Sequence, residues 1–329
     1  MNGTTTAQLA EKTAKAVTGS VEEWTGFLQS AARLYKYSYP EQLLIYAQRP
    51  DATACASYEI WNQTMRRYVR RDARGIALPD GAGAVRYVFD VADTGARKSS
   101  REVKTWALDE NNREAVAHAL ETQYGSAAKL GIAGQLEEIA MQQSMDYWQW
   151  HQDELRGIVD GSFLEGYDEL NLEIAFRNTA AASVKYMLLS RCNLAREYQI
   201  EPEELAGVLE WNTSAASGAL GSAVSELSEG VLRQIERTIR QYERSQNHDE
   251  RTDVHEERRV LDSRPDSSRT ADGAEQIRTD AGMVSEGASD DHLQQPAPER
   301  KIGRAPDGNR SGGGESDGGD RVGAGEAGG

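Results

Sequence analysis

From residue 246 to its end the chain contains no Phe, Trp or Tyr; all four Phe, six Trp and thirteen Tyr lie before that point. The same stretch is rich in Gly, Asp, Glu, Arg and Ser, and includes the run Ser311-Gly312-Gly313-Gly314-Glu315-Ser316-Asp317-Gly318-Gly319-Asp320. A segment of this composition cannot bury enough apolar surface to offset the entropy lost on ordering it. Residues 246–329 are therefore expected to be a disordered linker or tail. Any fold must be built from what precedes them.

The preceding residues divide by periodicity. In residues 1–108 helix and strand signals mix. Ser20 is placed to cap a helix, with Glu23 three residues on, and Trp24, Phe27, Leu28, Ala31, Leu34 and Tyr35 keep helical spacing. Pro40 suits the first turn of a second helix, Glu41–Gln48, which Pro50 ends. Ser57–Thr64 reads as a short third helix. Beyond it Arg67–Arg71, Gly75–Leu78 and Val85–Phe89 are short and β-prone, separated by turn residues. Residues 109–245 read as helical, with segments at Asp109–Tyr124, Gln135–Ile158, Leu172–Tyr198 and Ser222–Arg244, and a short helix opened by Pro202. The expected fold class is α+β: a small antiparallel sheet packed on helices, followed by an α-helical region and the tail. The expected domains are 1–108, 109–245 and 246–329.

Charge sharpens the division. The formal net charge is −16, yet residues 1–108 hold 15 Lys and Arg against 11 Asp and Glu, whereas residues 109–245 hold 11 against 23. Partner choice follows regional charge, not the total. The front region also concentrates its cations. Arg66, Arg67, Arg70, Arg71 and Arg74 fall within nine residues, with Tyr68 among them and Trp61 just upstream. Guanidinium forks donate paired hydrogen bonds to phosphate, and flat rings stack on unpaired bases. These residues are the candidate DNA-binding set: the arginines on phosphates, Tyr68 and Trp61 framing bases. Lys36, Arg49 and Arg86, with Lys98, Arg101 and Lys104, are expected to extend the track. The expected partner is single-stranded DNA, bound with little sequence preference.

Catalytic signatures are missing from the sequence. Cys55 and Cys192 lie far apart with no metal-ligand spacing, which suits a reducing cytoplasm. The five histidines are scattered, and His151-Gln152-Asp153-Glu154-Leu155 lacks the second His of a zinc-protease helix. No phosphate-binding Gly-rich loop ending in Lys-Ser/Thr and no Gly-x-Ser-x-Gly elbow occurs. The expectation is a non-enzyme without metal or cofactor. No segment is apolar enough to span a membrane.

One order of residues is distinctive. Tyr37-Ser38-Tyr39-Pro40-Glu41-Gln42-Leu43-Leu44-Ile45-Tyr46-Ala47-Gln48-Arg49-Pro50 is followed by Tyr58, Trp61, the Arg67–Gly75 stretch and Val88-Phe89-Asp90-Val91-Ala92-Asp93-Thr94. Over residues 20–108 this resembles the N-terminal domain of ArdC-type antirestriction proteins, as found at the front of large conjugative-element proteins. The resemblance implies an α+β domain that binds single-stranded DNA during plasmid or element transfer. Two positions depart from the pattern: Gln42 stands where Asn is common, and Arg74-Gly75 where Lys-Gly is common. The metalloprotease-like second domain of such proteins has no counterpart here. Two other roles compete with direct binding. The acidic helices could serve as a protein-interaction or DNA-mimicking antirestriction module, or the chain could be the front of a larger helicase- or methylase-bearing polypeptide.

Overall fold

A computed structural model describes residues 3–195, 198 and 200–262. Of the expected disordered tail, residues 246–262 are instead helical, and residues 263–329 lie outside the described residues. The described residues belong to one compact unit. The fold is α+β. Its helices are α1 (Gly3–Val17), α2 (Val21–Arg33), α3 (Tyr39–Gln48), α4 (Arg113–Tyr124), α5 (Gly131–Gly157), α6 (Glu169–Arg191), α7 (Pro202–Leu205) and α8 (Ser214–Asp262). Its strands are β1 (Cys55–Ser57), β2 (Tyr68–Val69), β3 (Ile76–Pro79), β4 (Val85–Asp90) and β5 (Thr94–Gly95). Among the described residues, no helix is long and apolar enough to cross a membrane.

Local chemistry fixes the helix ends. The Ser20 hydroxyl accepts the Glu23 N–H at 3.2 Å, satisfying one orphan donor of α2. At α3, Pro40 occupies the first turn and the Glu41 carboxylate accepts the Ser38 N–H at 3.2 Å. Gly125 ends α4 with φ of +75°, a conformation that disfavours any side chain. The Asp168 carboxylate accepts the Asn171 N–H at 2.8 Å and starts α6.

The three-stranded sheet has order β1-β4-β3, antiparallel throughout, with Ala56 opposite Phe89 and Ala77 opposite Tyr87. Alternation along the strands gives it two different faces. Ile76, Leu78 and Val88 meet Leu34, Leu44 and Ile45 from the helices. On the other face Phe89 joins Trp61, Met65 and Ala56. The outer edge of β3 is closed by a side chain: the Gln48 amide accepts the Ala77 N–H and donates to the Ala77 carbonyl, each at 3.0 Å.

The boundary expected at residue 108 is not a break in packing. A single apolar cluster joins Trp24, Phe27 and Tyr39 of the front helices to Phe176, Met187, Trp211 and Ile235 of the later ones. The Trp24 indole N–H donates to Ser183 Oγ at 3.0 Å, tying α2 to α6. Fully burying side chains of this size stabilises by about 1.5–3 kcal/mol each, which binds the two regions into one core.

A polar knot crosses the same junction. Glu236 on α8 accepts the Tyr35 hydroxyl at 2.5 Å and pairs with Lys36 at 2.7 Å and Arg240 at 2.8 Å. Burial opposes ionisation of Glu236. The bonds from Lys36 and Tyr35 outweigh it and hold the carboxyl at about 2, down from 4.5. A carboxylate lowered in this way stabilises the fold fully above about pH 4.5. That contribution is lost as pH falls from 4.5 toward 2. Its size is on the order of 3 kcal/mol. Melting temperature measured down an acid series should therefore fall more steeply for the natural chain than for a Glu236→Gln variant. Parallel curves would remove Glu236 as the cause.

Candidate nucleic-acid interface

The arginine-rich stretch does not join the main sheet. Of the expected strand Arg67–Arg71, only Tyr68 and Val69 are extended, and they pair with Thr94 and Gly95 in a separate two-stranded ribbon. Its support is rigid. The Asp90 carboxylate accepts the N–H groups of Thr53 at 2.7 Å, Ala54 at 2.9 Å and Ala92 at 2.9 Å, fixing the turn that leads into β5. Arg70 N–H donates to the Asp93 carbonyl at 2.9 Å, and its guanidinium to the Ala92 carbonyl at 3.1 Å. Arg67 is half-buried and donates to the Thr94 hydroxyl at 2.8 Å. Arg67 and Arg70 thus brace the ribbon.

Arg66, Arg71 and Arg74 are exposed, and among the described residues no ion pair engages them. Arg66 takes φ of +53°, an unusual backbone state for a non-glycine residue. A second basic segment meets it there. The Ser100 hydroxyl donates to the Arg66 carbonyl at 2.7 Å and accepts the Arg97 N–H at 2.6 Å, while Arg101 N–H donates to the Met65 carbonyl at 2.9 Å. Arg97, Lys98 and Arg101 are thereby brought beside Arg66, and all three side chains are exposed.

Flat rings punctuate this path. Tyr68 is 42% exposed. Its ring lies across Gly95, where any Cβ would collide with it, and the Arg97 guanidinium sits 5.5 Å from its centroid. At the other end Tyr87 lies against Gly75, next to Arg74, and is also exposed. Sequence reasoning missed Arg97 and Tyr87. Tyr87 was detectable from alternation along β4, which places it opposite in facing to buried Val88.

Besides Arg67 and Arg70, which brace the ribbon, four expected residues do not serve as proposed. Trp61 is 3% exposed; its indole packs in the core behind the sheet and donates to the Phe89 carbonyl at 2.8 Å, so no base can stack on it. Arg49 pairs with Asp93 at 2.8 Å and with Asp51 at 3.1 Å. Arg86 pairs with Glu41 at 2.6 Å across the helix-facing side of the sheet. Lys36 is engaged by Glu236 at the α2–α8 junction. All three are neutralised by partners within the fold. Lys104 is exposed on the segment that continues from Arg101.

Burial pushes the Cys55 and Cys192 thiols up to about 12, far from a reactive thiolate. No group of three His, Cys, Asp or Glu side chains could hold a metal ion among the described residues.

Comparisons with protein families, with characterised proteins and with solved structures find no match. The likeness to ArdC-type domains therefore rests on the residue order alone.

Proposed function

We propose that this protein binds single-stranded DNA without catalysis and with little sequence preference, through the ribbon and turn of residues 66–74 and the segment 97–104. The observation that carries this is the Ser100 hydroxyl, which joins two basic segments around an exposed tyrosine ring. Guanidinium groups without internal ion partners suit a flexible polyanion, and exposed rings gain only where bases are unpaired. The residue order resembling ArdC-type domains agrees with a cytoplasmic role in transfer of a conjugative element. Three or four phosphate contacts at a slope of about −0.7 each give an overall log–log salt slope of roughly −2 to −3.

The test is competition among a single-stranded DNA oligomer, an RNA of the same sequence and the corresponding duplex, at two salt concentrations. Single-stranded DNA should displace a labelled probe best, and higher salt should weaken it visibly. Preferential displacement by duplex, or affinity indifferent to salt, would overturn the assignment.

A further inference from the structure

The acidic helical region carries a groove that the nucleic-acid reading does not use. Leu170, Ile174, Asn178 and Ala182 follow one another at four-residue steps along α6 and so share one face of that helix. The core-facing residues of α6, such as Phe176, Val184 and Met187, lie on another face. Leu170 is 64% and Ile174 45% exposed, high values for aliphatic side chains on a packed helix. Asn178 and Ala182 run into a groove of about 460 Å³. One wall is α5, through Glu137 and Met141, which are themselves one helical turn apart; the other is residues 202–210, through Glu203 and Glu210.

The second wall is pressed close to the floor. Gly207 has no room for a Cβ against the Thr179 side chain, and the Tyr167 hydroxyl donates to Glu210 Oε1 at 2.9 Å, tying the entrance to the wall. The charge of the lining is one-sided. Four glutamates, Glu137, Glu203, Glu204 and Glu210, face a single cation, Lys185, which pairs with Glu137 at 2.8 Å and Glu204 at 2.9 Å. Glu203 and Glu210 keep no cation of their own among the described residues.

Met141, Ala175, Ala181 and Ala182 give the groove apolar lining between carboxylate walls, and the exposed side chains of Ile174 and Leu170 continue that surface along α6 outside it; together they select the occupant. DNA is repelled by the walls. A helix with an apolar stripe flanked by lysines or arginines satisfies floor and walls together. We propose that this groove docks one basic amphipathic helix of a partner protein. The proposal is independent of the nucleic-acid site, which lies on other elements.

The probe is a designed helical peptide of about 18 residues with leucines at i, i+3, i+4 and i+7 and lysines elsewhere. It is titrated by fluorescence anisotropy against the full chain. Saturable one-to-one binding is expected. Ile174→Asp and the pair Glu203→Lys/Glu210→Lys should each weaken it about tenfold, and a scrambled peptide of the same composition should bind about tenfold more weakly. Asn178→Trp, which fills the groove from an exposed position, should do the same and guards against a folding defect in the other variants. Binding of single-stranded DNA should be unchanged in all of them, so this test and the preceding one fail separately. Equal affinity for the scrambled peptide, or an unaffected Ile174→Asp variant, would overturn the proposal. So would sedimentation showing that Ile174→Asp converts a dimer to a monomer, which would make the groove a self-interface.

Discussion

Replacing Arg66, Arg71 and Arg74 together with alanine is expected to weaken binding of single-stranded DNA about a hundredfold at roughly 0.1 M salt, with little change in melting temperature. Each phosphate contact on a single strand contributes about 0.7 to the salt exponent. At a tenth of molar salt that is about 0.7 of a decade in affinity per contact, so three contacts give about two decades. The log–log salt slope should become shallower by about 2. Stability is spared because these three side chains are exposed and no ion pair engages them among the described residues. Arg67 and Arg70 are left in place because they hold the ribbon to Thr94 and Ala92. An anisotropy titration across a salt series makes the measurement. A triple variant that follows the natural chain at every salt would locate the interface elsewhere.

Trp106→Ala should act on both stability and binding. Residues 97–108 have no regular secondary structure, yet Trp106 is buried at their end. Its indole N–H donates to the Tyr35 hydroxyl at 3.0 Å, and the Arg191 guanidinium lies 3.5 Å from its ring centroid while donating to its carbonyl at 3.0 Å. Truncating a buried tryptophan costs about 3–5 kcal/mol. Trp106 also tethers the far end of the segment whose near end Ser100 and Arg101 hold at Arg66 and Met65. Denaturant unfolding should show the stability loss, and the variant, assayed below its midpoint, should bind single-stranded DNA more weakly. Unchanged affinity in a destabilised but folded Trp106→Ala protein would mean that the Trp106 tether is not needed to place the 97–104 segment, which Ser100 and Arg101 then hold by themselves.

Much of the helical frame was legible because it announces itself locally. Ser20, Pro40 and Pro202 mark the ends they were expected to mark. The first helix was not legible. Its buried face includes Thr6 and Thr13, whose hydroxyls donate to the Gly3 and Leu9 carbonyls, so a polar-looking face packs inward satisfied. The start of α8 was read eight residues late. Its first turns are Ala-, Ser- and Gly-rich, but Gly221 is there because the Tyr39 ring lies against it.

The candidate site was half legible. The concentration of arginines is a property of the sequence, and Arg66, Arg71 and Arg74 stand exposed as expected. Which cations already have partners is a long-range property. Glu41, Asp93 and Glu236 meet Arg86, Arg49 and Lys36 only after folding, and no local pattern foretells it. Trp61 shows the same limit for rings: a tryptophan beside an arginine cluster reads alike whether it faces a base or the core.

The amide of Gln48 against Ala77 has a consequence for how this molecule behaves among copies of itself and extended peptides. A short sheet with a bare margin is a template on which another chain can continue the ladder, and such margins seed aggregates. Here a side chain imitates the missing neighbour, so that margin has no backbone valence left at Ala77 to offer. Whatever this protein recruits, it must recruit through side chains rather than by lengthening its sheet at that margin.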